Sequence, residues 1–157
     1  MSKITLRQAT PDDVAAIAAL FRGVAEATRP YRPELHTPEE DHEFFGEAVA
    51  TKDVWIAEED GTLAGFISFS TRWVNHLFID LGCQGRGIGS ALLDLAKAEN
   101  DALQLWVFQE NIKARLFYER RGFRLVKETD GAENEEKQPD ALMEWTRGGS
   151  KKHCQTQ

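Results

Sequence analysis

The segment Leu77-Phe78-Ile79-Asp80-Leu81-Gly82-Cys83-Gln84-Gly85-Arg86-Gly87-Ile88-Gly89-Ser90 has the residue types and spacing to bind a phosphate group. Its apolar start reads as a strand, and Ile88, Leu92, Leu95 and Ala96 recur as on a helix that begins directly after the glycines. Gly85, Gly87 and Gly89 remove side chains where the backbone turns, so successive N–H groups converge on one concavity at the positive end of that helix. Such a concavity is an anion site suited to a pyrophosphate. Two familiar phosphate motifs do not fit: no Gly-Lys-Ser/Thr closes a Walker-type loop, and Gly-x-Gly-x-x-Gly is absent from the turn. The strand also comes fourth in the chain, unlike the first strand of a dinucleotide fold.

The elements that must hold this turn are legible on either side of it. Thr10-Pro11-Asp12-Asp13 is a helix start, with a capping hydroxyl, a proline where no N–H is needed and acids at the positive end of the dipole. Val14, Ile17, Ala18 and Phe21 continue the helix to about Ala27, and Arg29-Pro30-Tyr31-Arg32-Pro33 breaks it. A second helix follows Pro38. Strands over Val54 to Ala57 and Leu63 to Ser70 flank Glu59-Asp60-Gly61-Thr62, whose Asp-Gly pair suits a tight hairpin. Trp73 to Asp80 is the next strand and Leu103 to Phe108 another. Asn111 caps a helix carrying Ala114, Phe117 and Tyr118 on one face and ending at Gly122, and Phe123 to Lys127 with Ala141 to Trp145 complete the strands.

The order Gln84-x-x-Gly87-x-Gly89 after an apolar strand resembles the phosphate-binding signature of the GNAT acetyltransferases. A second segment, Asn111-x-x-Ala114-x-x-Phe117-Tyr118-x-x-x-Gly122-Phe123, resembles that family's other acyl-CoA-contacting helix. The resemblance in element order runs to Trp145, and its specific residues lie in Leu77 to Gly89 and Asn111 to Phe123. It implies an α/β (α+β) GNAT fold: a central mixed, mostly antiparallel sheet of about six to seven strands flanked by about four helices. The expected organisation is one such domain over residues 1–147, followed by a disordered polar tail over 148–157.

The resemblance further implies an acyl-CoA-dependent N-acetyltransferase whose co-substrate is acetyl-CoA, with no metal. Backbone groups of Leu77, Phe78 and Ile79 would hold the pantetheine arm like an added strand, and Gln84, Gly85, Arg86, Gly87, Ile88, Gly89 and Ser90 the pyrophosphate. Asn111 would contact the arm. Tyr118 would serve as the general acid that protonates the departing CoA thiolate, the alternative being a core tyrosine packed on Phe117. An N–H near Phe78 would stabilise the thioester oxyanion.

The proton acceptor is less legible. Alternation puts Trp73, Asn75 and Leu77 on one strand face and Val74, His76 and Phe78 on the other. Relatives with a base on this strand carry it on the first face, where Asn75 cannot titrate. His76 therefore reads as a structural histidine, and proton removal through ordered water to an acid of the run Glu133, Asn134, Glu135, Glu136 is the preferred reading, the alternative for that run being a solvated hairpin. The acceptor groove implied by the resemblance takes Tyr31, Arg32 and His36 from one side and Glu135 and Glu136 from the other, with Asn75 on the strand. Arginine and glutamate together suit a small zwitterion such as an amino-acid derivative, the alternative being unrelated surface charge.

Composition narrows the remaining choices. A chain of 157 residues with 41% hydrophobic and 29% charged residues suits one globular domain. A net charge of -7 and a sequence pI near 5.1 oppose binding to a phosphate backbone, so nucleic acid is not an expected partner. No apolar run spans a bilayer, and Met1 to Leu6 lacks the pattern of a secretory signal. Cys83 and Cys154 form no framework bridge, which fits a cytoplasmic protein. The expected activity is acetyl transfer to a primary amine of a small molecule by direct attack in a ternary complex. The alternatives are acetylation of a protein lysine or N-terminal amine, and a non-catalytic acyl-CoA-binding regulatory module. A homodimer is left open.

Overall fold

The computed structural model describes residues 3–28, 36–135 and 137–148. The helix-breaking stretch Arg29 to Pro33 and residues 149–157 of the expected tail lie outside them. The described residues fall into two compact units: one runs to Ser70 and resumes from Val74 to Leu95, and the other takes Thr71–Trp73 and the chain from Ala96 onward.

In the first unit, β1 (Ile4–Gln8) leads through a 3-10 turn, Pro11–Asp13, into α1 (Val14–Thr28). The entry is closed by Asp13, whose carboxylate accepts from the Thr10 N–H at 2.7 Å and from both Arg7 Nη atoms at 2.9 Å. The Arg7 guanidinium on β1 holds the Asp13 carboxyl below its ordinary range. Helix α2 (Pro38–Thr51) starts with a reciprocal cap: Thr37 Oγ1 accepts from the Glu40 N–H at 3.1 Å, and Glu40 Oε1 from the Thr37 N–H at 2.8 Å. Asp41, buried on α2, accepts from Arg22 of α1 at 2.8 Å, joining the two helices.

Strands β2 (Asp53–Glu59) and β3 (Thr62–Ser70) meet in the expected hairpin, with Asp60 at φ 52° and Gly61 at φ 86°. With β4 (Trp73–Ile79) the order in this unit is β1-β2-β3-β4. The core joins Val14, Ile17 and Ala18 of α1 to Phe45 and Ala48 of α2, Val54 and Ile56 of β2, and Phe66 of β3. Each large side chain buried there stabilises the fold by about 1.5–3 kcal/mol. Helix α3 (Ile88–Glu99) turns Ile88, Leu92, Leu93 and Ala96 inward at helical spacing.

The second unit holds β5 (Ala102–Phe108), α4 (Ile112–Arg120), β6 (Arg124–Thr129) and β7 (Asp140–Thr146). Here β7 lies antiparallel between β5 and β6. Leu103, Leu105 and Val107 alternate into the interior beside Ala141 and Met143. The first residue of β4, Trp73, pairs in parallel with Gln104 of β5. The hydrogen-bonded strand order is β1-β2-β3-β4-β5-β7-β6. Seven strands, mostly antiparallel, and four α-helices meet the fold class expected from the resemblance.

The acidic stretch between β6 and β7 is built around one carboxylate. Asp140 is buried, and accepts from the Thr129 hydroxyl and from Asn134 Nδ2, the latter at 3.1 Å. Asn134 also donates to Gln138 O at 2.7 Å and accepts from the Gln138 N–H at 3.2 Å. Gln109 Nε2 donates to Thr129 O at 2.9 Å and Asp140 O at 3.1 Å. Gly131, at φ 84°, lies so close to the Gln138 backbone that a Cβ would fall 2.3 Å from its carbonyl carbon. This loop does not follow from its acidic composition, because the residues that shape it, Thr129, Asn134, Gln138 and Asp140, are not its glutamates.

Candidate functional site

The turn after β4 has the form expected of the glycines. Gly85 and Gly87 sit at φ 82° and 84°, a left-handed conformation that other residues adopt only with strain. A Cβ built on either would meet nothing within 4 Å, so the space above both is open. The first hydrogen bond of α3 runs from the Ala91 N–H to Gly87 O at 3.0 Å. The N–H groups of Ile88, Gly89 and Ser90 precede it and have no acceptor inside the helix. Open glycines and donors at a helix head make a cradle for an anion, with the helix dipole adding partial positive charge.

Side chains hold the turn from behind. Gln84 Nε2 donates to Ile79 O at 3.2 Å, tying the turn to the end of β4. Asp80 Oδ2 accepts from the Gly82 N–H at 3.2 Å. Arg86 forms an ion pair with Glu59 at the end of β2, and its Nη2 donates to Gly82 O at 3.3 Å. Cys83 Sγ lies 3.5 Å from Glu59 Oε1, and burial together with that carboxylate pushes its thiol above the ordinary value. A thiol in that state is a poor nucleophile.

Leu77, Phe78 and Ile79 lie on β4, four to six residues beyond Trp73, where that strand pairs with β5, and are partly exposed. Strand backbone beyond such a pairing offers main-chain groups to an extended ligand as another strand would. Gly65 on β3 lies behind it: a Cβ there would fall 2.9 Å from Phe78 O and 2.6 Å from Ile79 Cδ1. Asn75, also half-buried on β4, donates to Ser70 Oγ at 3.2 Å. His76 packs its ring against Phe45, Phe44 and Phe21 at centroid distances of 5.2, 5.4 and 5.7 Å.

Asn111 and Tyr118 belong to the second unit. Asn111 Oδ1 accepts from the Ala114 N–H at 3.2 Å, so its side chain is the cap of α4. Tyr118 is buried, with Phe117 at 5.1 Å and Phe123 at 5.3 Å between ring centroids. Burial pushes its phenol well above the ordinary value, and it stays protonated at neutral pH. Glu133 and Glu135 are exposed on the loop before β7. Tyr31, Arg32 and Glu136 lie outside the described residues.

The structure thus gathers Leu77 to Ile79 and Gln84 to Ser90 in one unit, and places Asn111, Tyr118 and Glu135 in the other. Glu59 and Gly65 are additions that the motif does not contain. Gly65 carries a faint signal, since a glycine inside a strand pattern marks a close backbone approach. Glu59 carries none, being 27 residues from its partner. Among the described residues no group of three or more His, Cys, Asp or Glu could hold a metal ion, and no helix is long and apolar enough to cross a membrane.

A family model described as an acetyltransferase (GNAT) domain matches residues 50–125. The chain is 32% identical over 133 residues to the uncharacterized N-acetyltransferase YafP of Escherichia coli, covering 82% of this chain and 86% of that protein. It is 36% identical over 99 residues to the peptidyl-lysine N-acetyltransferase YiaC of Escherichia coli, covering 62% of this chain and 66% of that protein. The fold matches that of the PaiA N-acetyltransferase from Thermoplasma acidophilum, solved in complex with coenzyme A, with a TM-score of 0.75 at 20% identity over 92% of this chain and 99% of that one. The chain belongs to the GNAT superfamily and is an acyl-CoA-dependent N-acetyltransferase.

Proposed function

We propose that the chain transfers an acetyl group from acetyl-CoA to a primary amine of a small molecule, directly and in a ternary complex. The observation that carries the donor half is the open cradle at Gly85 and Gly87 ahead of α3. In this reading the N–H groups from Gln84 to Ser90 hold the diphosphate, and the β4 backbone at Leu77 to Ile79 holds the pantetheine arm. Asn111 contacts the arm through its main chain, its side-chain oxygen being engaged at the α4 cap.

The neutral amine attacks the thioester carbonyl carbon, and the oxygen takes up the negative charge near the Phe78 N–H. Stabilisation by such a donor contributes about 3 kcal/mol. The C–S bond then breaks, the sulfur receives the Tyr118 phenolic proton, and the amine proton leaves through water toward Glu133 or Glu135. Burial keeps Tyr118 in its acid form at neutral pH. The phenol is a weak acid, so donation accompanies bond cleavage, and solvent restores the proton afterwards. Proximity of donor and acceptor supplies much of the remaining acceleration.

The acceptor half rests on charge. A net charge of -7 and the exposed carboxylates of Glu133 and Glu135 favour approach of a cationic amine, and Arg32 of the α1–α2 connection would pair with a substrate carboxylate. The likeness to YiaC, a peptidyl-lysine N-acetyltransferase, favours a second reading in which the amine is a protein lysine. A thiol-release screen over amino acids, polyamines, aminoglycosides and a lysine peptide separates them. Turnover with a small amine but not the peptide is expected. The reverse would transfer the assignment to the second reading, and absence of acetyl-CoA binding would defeat both.

A further inference from the structure

The glycines that open the cradle also loosen it. A turn whose Arg86 stands between two left-handed glycines, Gly85 and Gly87, has more conformations to lose on binding than a turn of residues with side chains. Main-chain donors grip an anion tightly only when they are already aimed at it, because ordering them on binding subtracts from affinity. Gln84 and Asp80 tie the turn to the end of β4, and the Glu59 carboxylate at the end of β2 holds it from a second strand.

Glu59 reaches the turn twice. Oε2 pairs with Arg86 Nη1, and Oε1 lies 3.5 Å from Cys83 Sγ. The second arm of the guanidinium crosses to Gly82 O at 3.3 Å, so one side chain ties both flanks of the turn to the same carboxylate. The Glu59 side chain is 15% exposed against 46% for Arg86, which places the fixed partner on the sheet and the held one on the turn. Glu59 is itself held in register between Ile4 of β1 and Thr62 of β3. The one basic side chain inside the glycine turn is therefore directed toward β2, and the concavity is left to N–H groups.

We propose that Glu59 is a positioning residue for acetyl-CoA: by latching Arg86 and Cys83 to β2 it presets the glycine turn for the diphosphate. This rests on the reading of the turn as the diphosphate site. Glu59 touches no part of the donor and acts through the turn alone.

Calorimetric titration with acetyl-CoA tests it. Glu59→Ala weakens acetyl-CoA binding about 5- to 10-fold, Arg86→Ala does the same, and the double variant is no weaker than either single one because both remove one latch. S-Acetylpantetheine, which lacks the diphosphate, binds parent and Glu59→Ala alike. Glu59→Gln keeps the shape of the side chain and shows the same loss in smaller measure, which covers a failure of Glu59→Ala to fold. Acetyl-CoA binding that is unchanged or tighter without the Glu59 carboxylate overturns the latch, and so does an equal loss for S-acetylpantetheine, which would mark general damage. The underlying site reading fails separately: in that case Gly87→Val would bind acetyl-CoA as the parent does.

Discussion

Two side chains show how position decides chemistry at the scale of the residue. His76 has the type of a general base, but its ring is packed among phenylalanines of α1 and α2. Tyr118 has the type of a core aromatic and is packed as one, while burial keeps its phenol protonated. Replacement Tyr118→Phe is expected to leave acetyl-CoA affinity within about twofold and to lower kcat by about 10²-fold. Equal turnover in variant and parent would remove the phenol from the mechanism. The raised value also has a consequence for stability. Its folded value lies above the ordinary 10.0, so the stabilisation is fully present below about pH 10 and is lost as pH rises beyond it. Urea midpoints at about pH 9 and about pH 11 should therefore fall more in the parent than in Tyr118→Phe.

At the scale of the element, two glycines act by different physics. Gly87 is required by its φ of 84°, not by crowding, since a Cβ there meets open space. Gly87→Val is expected to fold with a loss of about 1–2 kcal/mol, and to lose the rise in melting temperature that acetyl-CoA gives the parent. A retained rise would mean that the concavity is not where the diphosphate sits. Gly65 is required by crowding: a methyl group would press on Phe78 O and Ile79 Cδ1 from β3. Gly65→Ala should cost about 1–3 kcal/mol and weaken acetyl-CoA binding, because the strand it displaces is the one assigned to the pantetheine arm. Unaltered melting temperature and affinity would show that β4 yields without consequence.

For the whole molecule, donor binding and folding are one linked equilibrium. Acetyl-CoA at about 100 times its Kd should add about 2.7 kcal/mol, a rise in Tm of about 5–10 °C for a chain of this size. Scanning calorimetry with and without acetyl-CoA measures it, and an unchanged Tm at saturating donor would contradict binding at the turn.

The strands, helices and glycine turn were legible in the sequence because local rules specify them. Asp-Gly between two apolar runs makes a hairpin, glycines before an apolar helix open its N–H groups, and Thr10-Pro11-Asp12-Asp13 starts a helix. The reading of His76 as structural rested on a period of two along one strand. What the sequence did not show depends on residues that meet only after folding. Glu59 reaches Arg86 because a hairpin brings the end of β2 beside the turn, and Gly65 matters because β3 carries it against Phe78. Asp140 organises an acidic loop whose composition reads as solvated surface. In each case the partner is set by tertiary packing, and a carboxylate or a missing methyl group carries no mark in the chain of what will stand opposite it.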